Sequence, residues 1–274
     1  YNSTRQSLLR GLDRPECADH QIQDRETAAR RLLREKGFSD QSITQFWMSL
    51  GVDYFLHSNP QEIAWQSGLV LAHSDYRQPI VEIHKDAKRG ASEIFICVQD
   101  REKLFAHTTA MLADLDLNVL EARVQTSDTG CTLNTYFVLE ANSEQIAPGA
   151  RTEEVIRTLH AGIAAPGEFH AIAPRRLSRR LKHFDAPASI VFSQDASQQR
   201  TVLRLRATDH TGLLSQVGQA FAECNVRVCN AKIATLGATA EDTFFITDQQ
   251  DAPIKDPLRL QQLMDSIRNH LQVG

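Results

Sequence analysis

Asp209-His210-Thr211-Gly212-Leu213-Leu214 stands at a corner where an alternating, strand-like run gives way to a helical one. Asp100-Arg101-Glu102-Lys103-Leu104-Phe105 stands at the same kind of corner 109 positions earlier, and the surrounding residues keep that offset. Asp86-Ala87 falls on Asp195-Ala196, Ala113 on Ala222, Val119 on Val228, Ala122 on Ala231 and Thr126 on Thr235. One residue is then lost, and Asn134-Thr135-Tyr136-Phe137 falls on Asp242-Thr243-Phe244-Phe245. A hairpin turn is where a repeat tolerates such a change. The chain therefore carries two tandem copies of one small unit.

In the first copy Ile80-Val81-Glu82-Ile83-His84 and Ile94-Phe95-Ile96-Cys97-Val98 read as strands around a polar turn from Lys85 to Ala91, which predicts a hairpin. Lys103 to Leu115 reads as a helix with Leu104, Thr108, Met111, Leu112 and Leu115 on one side. Val119 to Thr126 and Thr132 to Glu140 follow as strands joined at Ser127-Asp128-Thr129-Gly130, then Glu153 to Ala161 as a helix and Glu168 to Ala173 as a closing strand. With a leading strand added, this is the ferredoxin-like split βαβ order, an α+β unit of βαββαβ type with both helices on one face of an antiparallel sheet. The second copy ends Gln272-Val273-Gly274 after its last helix, Pro257 to Leu271. Its open edge is expected to be filled by the leading strand Ser189 to Ser193 or covered by the other copy's sheet.

Ahead of Pro79 the period is helical. Leu8, Leu9 and Leu12 share a stripe, Arg25 to Lys36 is built of strong helix formers and closes at Gly37, and Ser39-Asp40 starts a helix carrying Ile43, Phe46, Trp47 and Leu50 to a stop at Gly51. Ser58-Asn59-Pro60-Gln61-Glu62-Ile63 starts another. The expected organisation is a helical region over 1–78, a first unit over 79–174, a basic linker over 175–186 and a second unit over 187–274. Arg175-Arg176-Leu177-Ser178-Arg179-Arg180-Leu181-Lys182 in that linker reads as a solvated connector rather than a docking patch.

At 274 residues, 42% hydrophobic, 23% charged and with a formal net charge of -4, the chain is of ordinary globular composition. The charge gives no pull toward nucleic acid or an anionic membrane, and no run is long enough to span a bilayer. Five cysteines without paired spacing point to reduced thiols in the cytoplasm. The opening Tyr1-Asn2-Ser3, without an initiator Met, suggests a piece of a longer protein.

The second corner is the better candidate for a ligand. Gly212 lets the backbone turn closely, the opening N–H groups of a helix can hold a carboxylate, and Asp209 can accept an ammonium, so a free amino acid matches both ends. Asp209, His210, Thr211, Gly212, Leu213 and Leu214 form this candidate, against the simpler reading that Asp209 and Thr211 only cap the helix. In the first corner, Asp100, Arg101, Lys103 and Leu104, Lys103 replaces the glycine and either meets a carboxylate itself or closes the site. Asn225 offers an amide where the first copy has Asp116.

The succession of strand, Asp-x-x-Gly-Leu-Leu, helix and two strands resembles the ACT domain, a regulatory amino-acid-binding module. Tyr54-Phe55-Leu56-His57-Ser58-Asn59-Pro60-Gln61-Glu62-Ile63-Ala64-Trp65 and Arg175-Arg176-Leu177-Ser178-Arg179-Arg180-Leu181-Lys182-His183-Phe184 narrow this. They resemble the C-terminal region of the bifunctional PII uridylyltransferase and uridylyl-removing enzyme family. The resemblance implies a parent with a nucleotidyltransferase domain using Mg²⁺ and UTP, an HD-type hydrolase that removes UMP from the PII protein, and two ACT units through which glutamine suppresses transfer and favours removal. It also implies a ligand held between one unit's corner and a strand of its neighbour, and only through that implication do Asn118, Arg227 and Asn230 become candidates. The expected partners are glutamine, the parent's upstream catalytic domains and, through them, PII, with ACT pairing as a route to a homodimer.

No catalytic motif is legible in the chain itself. Asp114-Leu115-Asp116 has nucleotidyltransferase spacing but no preceding Gly-Ser, and none of the ten histidines is followed by Asp. No P-loop, GxSxG, HExxH or CxxC is present. Two rivals share the ferredoxin-like fold. An RRM needs exposed sheet aromatics and a basic surface, and the strands offer only Tyr136-Phe137 and Phe244-Phe245. An acylphosphatase-like hydrolase needs an anion-binding Arg loop that is not seen. No cofactor or metal is expected in this chain.

Overall fold

The computed structural model describes residues 15–73, 78–86, 89–164, 188–195, 199–210, 212–236 and 238–272. The readings on Leu8 to Leu12, the strand Glu168 to Ala173, the basic linker and Thr211 lie outside them. The chain divides into two compact units, residues 1–76 with 127–129, and the remainder.

The helical unit comprises α1 (Pro15–Glu35), α2 (Asp40–Trp47), α3 (Val52–His57) and α4 (Pro60–Ala72). Gly37 ends α1's extension with φ +90°. The Ser39 side chain accepts from the Ser42 N–H at the start of α2, and Asn59 and Glu62 form a reciprocal capping box around Pro60. Sequence periodicity missed α3. Six residues cannot show a helical stripe, and this helix is held from outside: Tyr54 and Phe55 are buried, and Arg25 donates to the carbonyls of Phe55 and Leu56 at 2.7 and 2.5 Å. Trp47 anchors the unit's core, its indole N–H donating to the buried Ser67 hydroxyl at 2.9 Å.

The second unit holds both copies. The first comprises β1 (Ile80–Asp86), β2 (Ala91–Gln99), α5 (Leu104–Asp114), β3 (Leu117–Thr126), β4 (Cys131–Glu140) and α6 (Ala150–Ala164). The second comprises β5 (Ser189–Gln194), β6 (Thr201–Thr208), α7 (Leu213–Glu223), β7 (Arg227–Lys232), β8 (Thr235–Leu236), β9 (Thr239–Thr247) and α8 (Pro257–Gln272). The antiparallel sheets run β1-β2-β4-β3 and β5-β6-β9-β7, with β8 paired to β9. The leading strand thus takes the outer edge in both copies, pairing Ile80 with Cys97 and Ile190 with Leu205.

The irregularities repeat as faithfully as the regular elements. Lys103 and Gly212 both take left-handed φ, as do Asp116 and Asn225, and Ser143 and Asp251. The bulge between Val119 and Glu121 recurs between Val228 and Asn230. Lys103 keeps the glycine-like conformation although its Cβ disfavours it.

The copies share one core. Phe105 of the first meets Phe221 and Phe244 of the second with ring centroids 6.3 and 6.0 Å apart. α5 packs on α7, and β3 runs beside β7 without a ladder between the sheets. The helices approach closely at Gly218, where an added Cβ would lie 2.8 Å from the Ala106 Cα. Backbone cannot swing aside as a side-chain end can, so Gly218→Ala should force the copies apart and cost about 1–3 kcal/mol. Gly212, with φ +92° and nothing within 4 Å, should lose only about 1 kcal/mol as alanine, through its backbone alone. Thermal or urea unfolding of the two variants checks the ranking, and an unperturbed Gly218→Ala would contradict the described approach.

Candidate functional site

Each strand-to-helix corner opens on a cavity between the copies, closed on its far side by the other copy's helix and edge strand. Asp209, His210, Gly212, Leu213 and Leu214 line one together with Thr109 and Asn118. Asp100, Arg101, Lys103 and Leu104 line the other together with Gly218 and Arg227. The cavities are related by the repeat, since Asn118 and Arg227 are equivalent positions, as are Thr109 and Gly218. Most of the candidates are brought together in this way. Asn225 and Asn230 line neither cavity, and Asn225 takes φ +52° at the turn before β7.

Backbone bonds fix the corners. The Asp209 N–H donates to the Ala238 carbonyl at 2.9 Å, as the Asp100 N–H does to Gly130 at 2.7 Å. Asp209 is not a helix cap: Gly212 is the N-cap of α7, and no side chain bonds there among the described residues. The first N–H groups of a helix have no acceptor within it, so this end of the cavity carries donors and partial positive charge. His210 sits between the Thr208 carbonyl and the Gln216 side chain, both at 3.1 Å.

Charge separates the two cavities. At the first, Arg227 reaches across from the second copy and pairs with Asp100, while also meeting Asp251. That corner already holds its cation. At the second, the residue equivalent to Arg227 is the uncharged Asn118, and among the described residues Asp209 has no ion-pair partner of the same kind. Burial pushes the Asp209 carboxyl above its ordinary range, with the Thr235 hydroxyl and His210 acting against it.

A residue not anticipated from sequence stands behind Asp209. Asp242 lines the same cavity from β9, is 1% exposed, and neither of its carboxylate oxygens makes a hydrogen bond of normal geometry. Burial lifts its carboxyl to about 7, the nearby Ala234 amide opposing the shift and Asp209 adding to it. The signal was available in strand alternation, because Asp242 shares its face with the buried Ala240, Phe244 and Ile246. In the first copy the equivalent position is Asn134, equally buried.

Both cavities are small clefts partly open to solvent.

Among the described residues the strand aromatics Tyr136, Phe137, Phe244 and Phe245 offer little to a base-stacking platform, since Phe245 alone of them is partly exposed. Tyr136 and Phe244 point into the core, and Phe137 is 1% exposed beneath the guanidinium groups of Arg89 and Arg123, which lie 4.1 and 5.2 Å from its ring centroid. No described helix is long and apolar enough to cross a membrane.

Two ferredoxin-like units, paired through their helices with a cavity at each corner, make up an ACT-like fold. Comparison with known proteins gives the particular setting. Residues 17–68 match the uridylyltransferase GlnD fifth domain. The whole chain is 37% identical over 278 residues to the bifunctional uridylyltransferase/uridylyl-removing enzyme of Pseudomonas entomophila (strain L48), of which it covers 31%. It is 38% identical over 269 residues to that of Stutzerimonas stutzeri (strain A1501), covering 96% of this chain and 30% of that protein. The aspartate kinase of Synechocystis is a structural neighbour at TM-score 0.38 and 17% identity, over 66% of this chain and 27% of that one. The resemblance to the C-terminal region of these bifunctional enzymes is therefore borne out over the full chain, which spans less than a third of their length.

The buried carboxyl of Asp242 makes a stability prediction. Its folded value lies above the unfolded one, so the native state holds the extra proton, and stability falls as pH rises from about 4 toward about 7. Asp242→Asn removes that loss. The variant should gain on the parent chain by about 2 kcal/mol more at pH 8 than at pH 5, roughly 5 °C in thermal midpoint. Equal differences at the two pH values would mean that Asp242 titrates normally.

Proposed function

We propose that this chain is the glutamine-sensing allosteric region of a bifunctional uridylyltransferase/uridylyl-removing enzyme, through which glutamine restrains uridylylation of the PII protein and favours its reversal. The parent would act in the cytoplasm, and its Mg²⁺ and UTP belong to catalytic domains outside this chain. The observation that carries the reading is the unneutralised Asp209 at the start of α7, in a cavity closed by Asn118 of the other copy. Glutamine supplies the complementary groups: an ammonium for Asp209, a carboxylate for the helix N–H groups, and a side-chain amide able to donate to and accept from Asn118. An acidic side chain would meet the carboxylates in the same space, which disfavours aspartate and glutamate as effectors.

Because the cavity lies between the copies, a ligand bound there touches both and favours the arrangement of the copies that accommodates it. A ligand that binds two arrangements unequally shifts their balance, which is the requirement for a signal to the catalytic domains. Titration calorimetry should give one glutamine per chain. Asp209→Ala should weaken it at least about tenfold, whereas Asp100→Ala, whose carboxylate is already paired, should leave affinity within about twofold. No heat at millimolar glutamine, or equal losses from the two variants, would refute the assignment.

A further inference from the structure

The fold does not need a carboxylate at position 242. The first copy places Asn134 at the equivalent point on its central strand, equally buried, and packs the same elements around it. Burying a carboxylate without a partner opposes folding, so a charge kept there calls for a counter-charge that arrives from outside. The described surroundings supply none. Across the cavity stand Thr109 and Asn118, both uncharged, and the nearest acidic neighbour is Asp209. Arg204, Arg206 and Glu241 alternate onto the opposite face of the sheet, Lys232 at the end of β7 is exposed, and α7 turns only uncharged residues to the cavity. His210 is the one basic group nearby, and both its ring nitrogens are engaged. Two carboxylates without a third ligating group among the described residues do not make a metal site.

We propose that Asp242 is the inner acceptor of the ligand's primary ammonium, with Asp209 at the cavity's corner as the outer one, and that the ligand binds with release of a proton from this pair. The inference rests on the amino-acid site proposed above and adds to it a residue and a proton balance. In the ligand-free protein near neutral pH the proton resides partly on Asp242. The incoming ammonium keeps its own three protons, displaces the carboxyl proton to solvent, and leaves an ammonium held by two carboxylates. Affinity must then rise with pH until Asp242 is ionised without the ligand's help. With a carboxyl titrating at about 7, that rise is about tenfold between pH 6 and pH 8.

The test uses the 274-residue chain and its Asp242→Asn variant, an isosteric change for which Asn134 is the internal precedent. A thermal-shift screen of the twenty amino acids at pH 8 should find glutamine raising the midpoint of the parent chain, with less than half that shift in the variant. Calorimetry with L-glutamine in two buffers of different ionisation enthalpy should then show about half a proton released per ligand at pH 7 and almost none at pH 8.5. The variant should release none, bind at least tenfold more weakly at pH 8, and lose the pH dependence. The last point separates Asp242 from His210, whose titration would survive the substitution. If glutamine is silent but another amino acid behaves in this way, the glutamine assignment falls and Asp242 keeps its role. Equal affinities and equal proton release in the two proteins, or no amino acid favouring the parent chain, overturn the proposal.

Discussion

Helices α5 and α7 meet because position 218 carries no side chain. A methyl group there would press on the Ala106 backbone, and the rest of the two-copy unit depends on that approach. It draws the aromatic cluster of Phe105, Phe221 and Phe244 into one core and sets β3 beside β7. It also fixes the width of the two corner cavities, each walled by the other copy's helix. Packing and site geometry are thus one constraint in this protein, and a cavity can open only at the expense of contacts that hold the copies together.

Duplication of a unit gives two equivalent corner cavities, and the chain has treated them differently. Arg227 fills the first with an internal cation, and Lys103 holds there a conformation that a glycine adopts more easily. The second keeps glycine at the turn, Asn118 opposite and two carboxylates within. The contrast lies in charge and not in shape, since strands, bulges and left-handed turns coincide between the copies. Burial beside Asp209 pushes the Asp242 carboxyl toward its neutral form, where the first copy places the uncharged Asn134.

Much of the fold was legible in the sequence because the repeat could be checked against itself. The offset that aligned Asp100 with Asp209 also aligns the left-handed residues and bulges found in three dimensions, and the caps at Ser39 and Asn59 stand where their side chains predicted. What was missed shares one cause. Helix α3 is held by Arg25 from another helix, the pairing of Asp100 with Arg227 joins residues far apart in the chain, and Asp242 matters only because of what faces it. Local pattern records propensity and capping, but not which side chain lies across a cavity. Asn225, singled out for its amide, stands at a left-handed turn away from both cavities, a conformation that residue type alone does not announce.

The setting of the second cavity bears on mechanics as well as on chemistry. Its walls belong to both copies, the corner before α7 on one side and α5 with β3 on the other. A displacement of the corner therefore presses on both copies and is not absorbed by one of them alone.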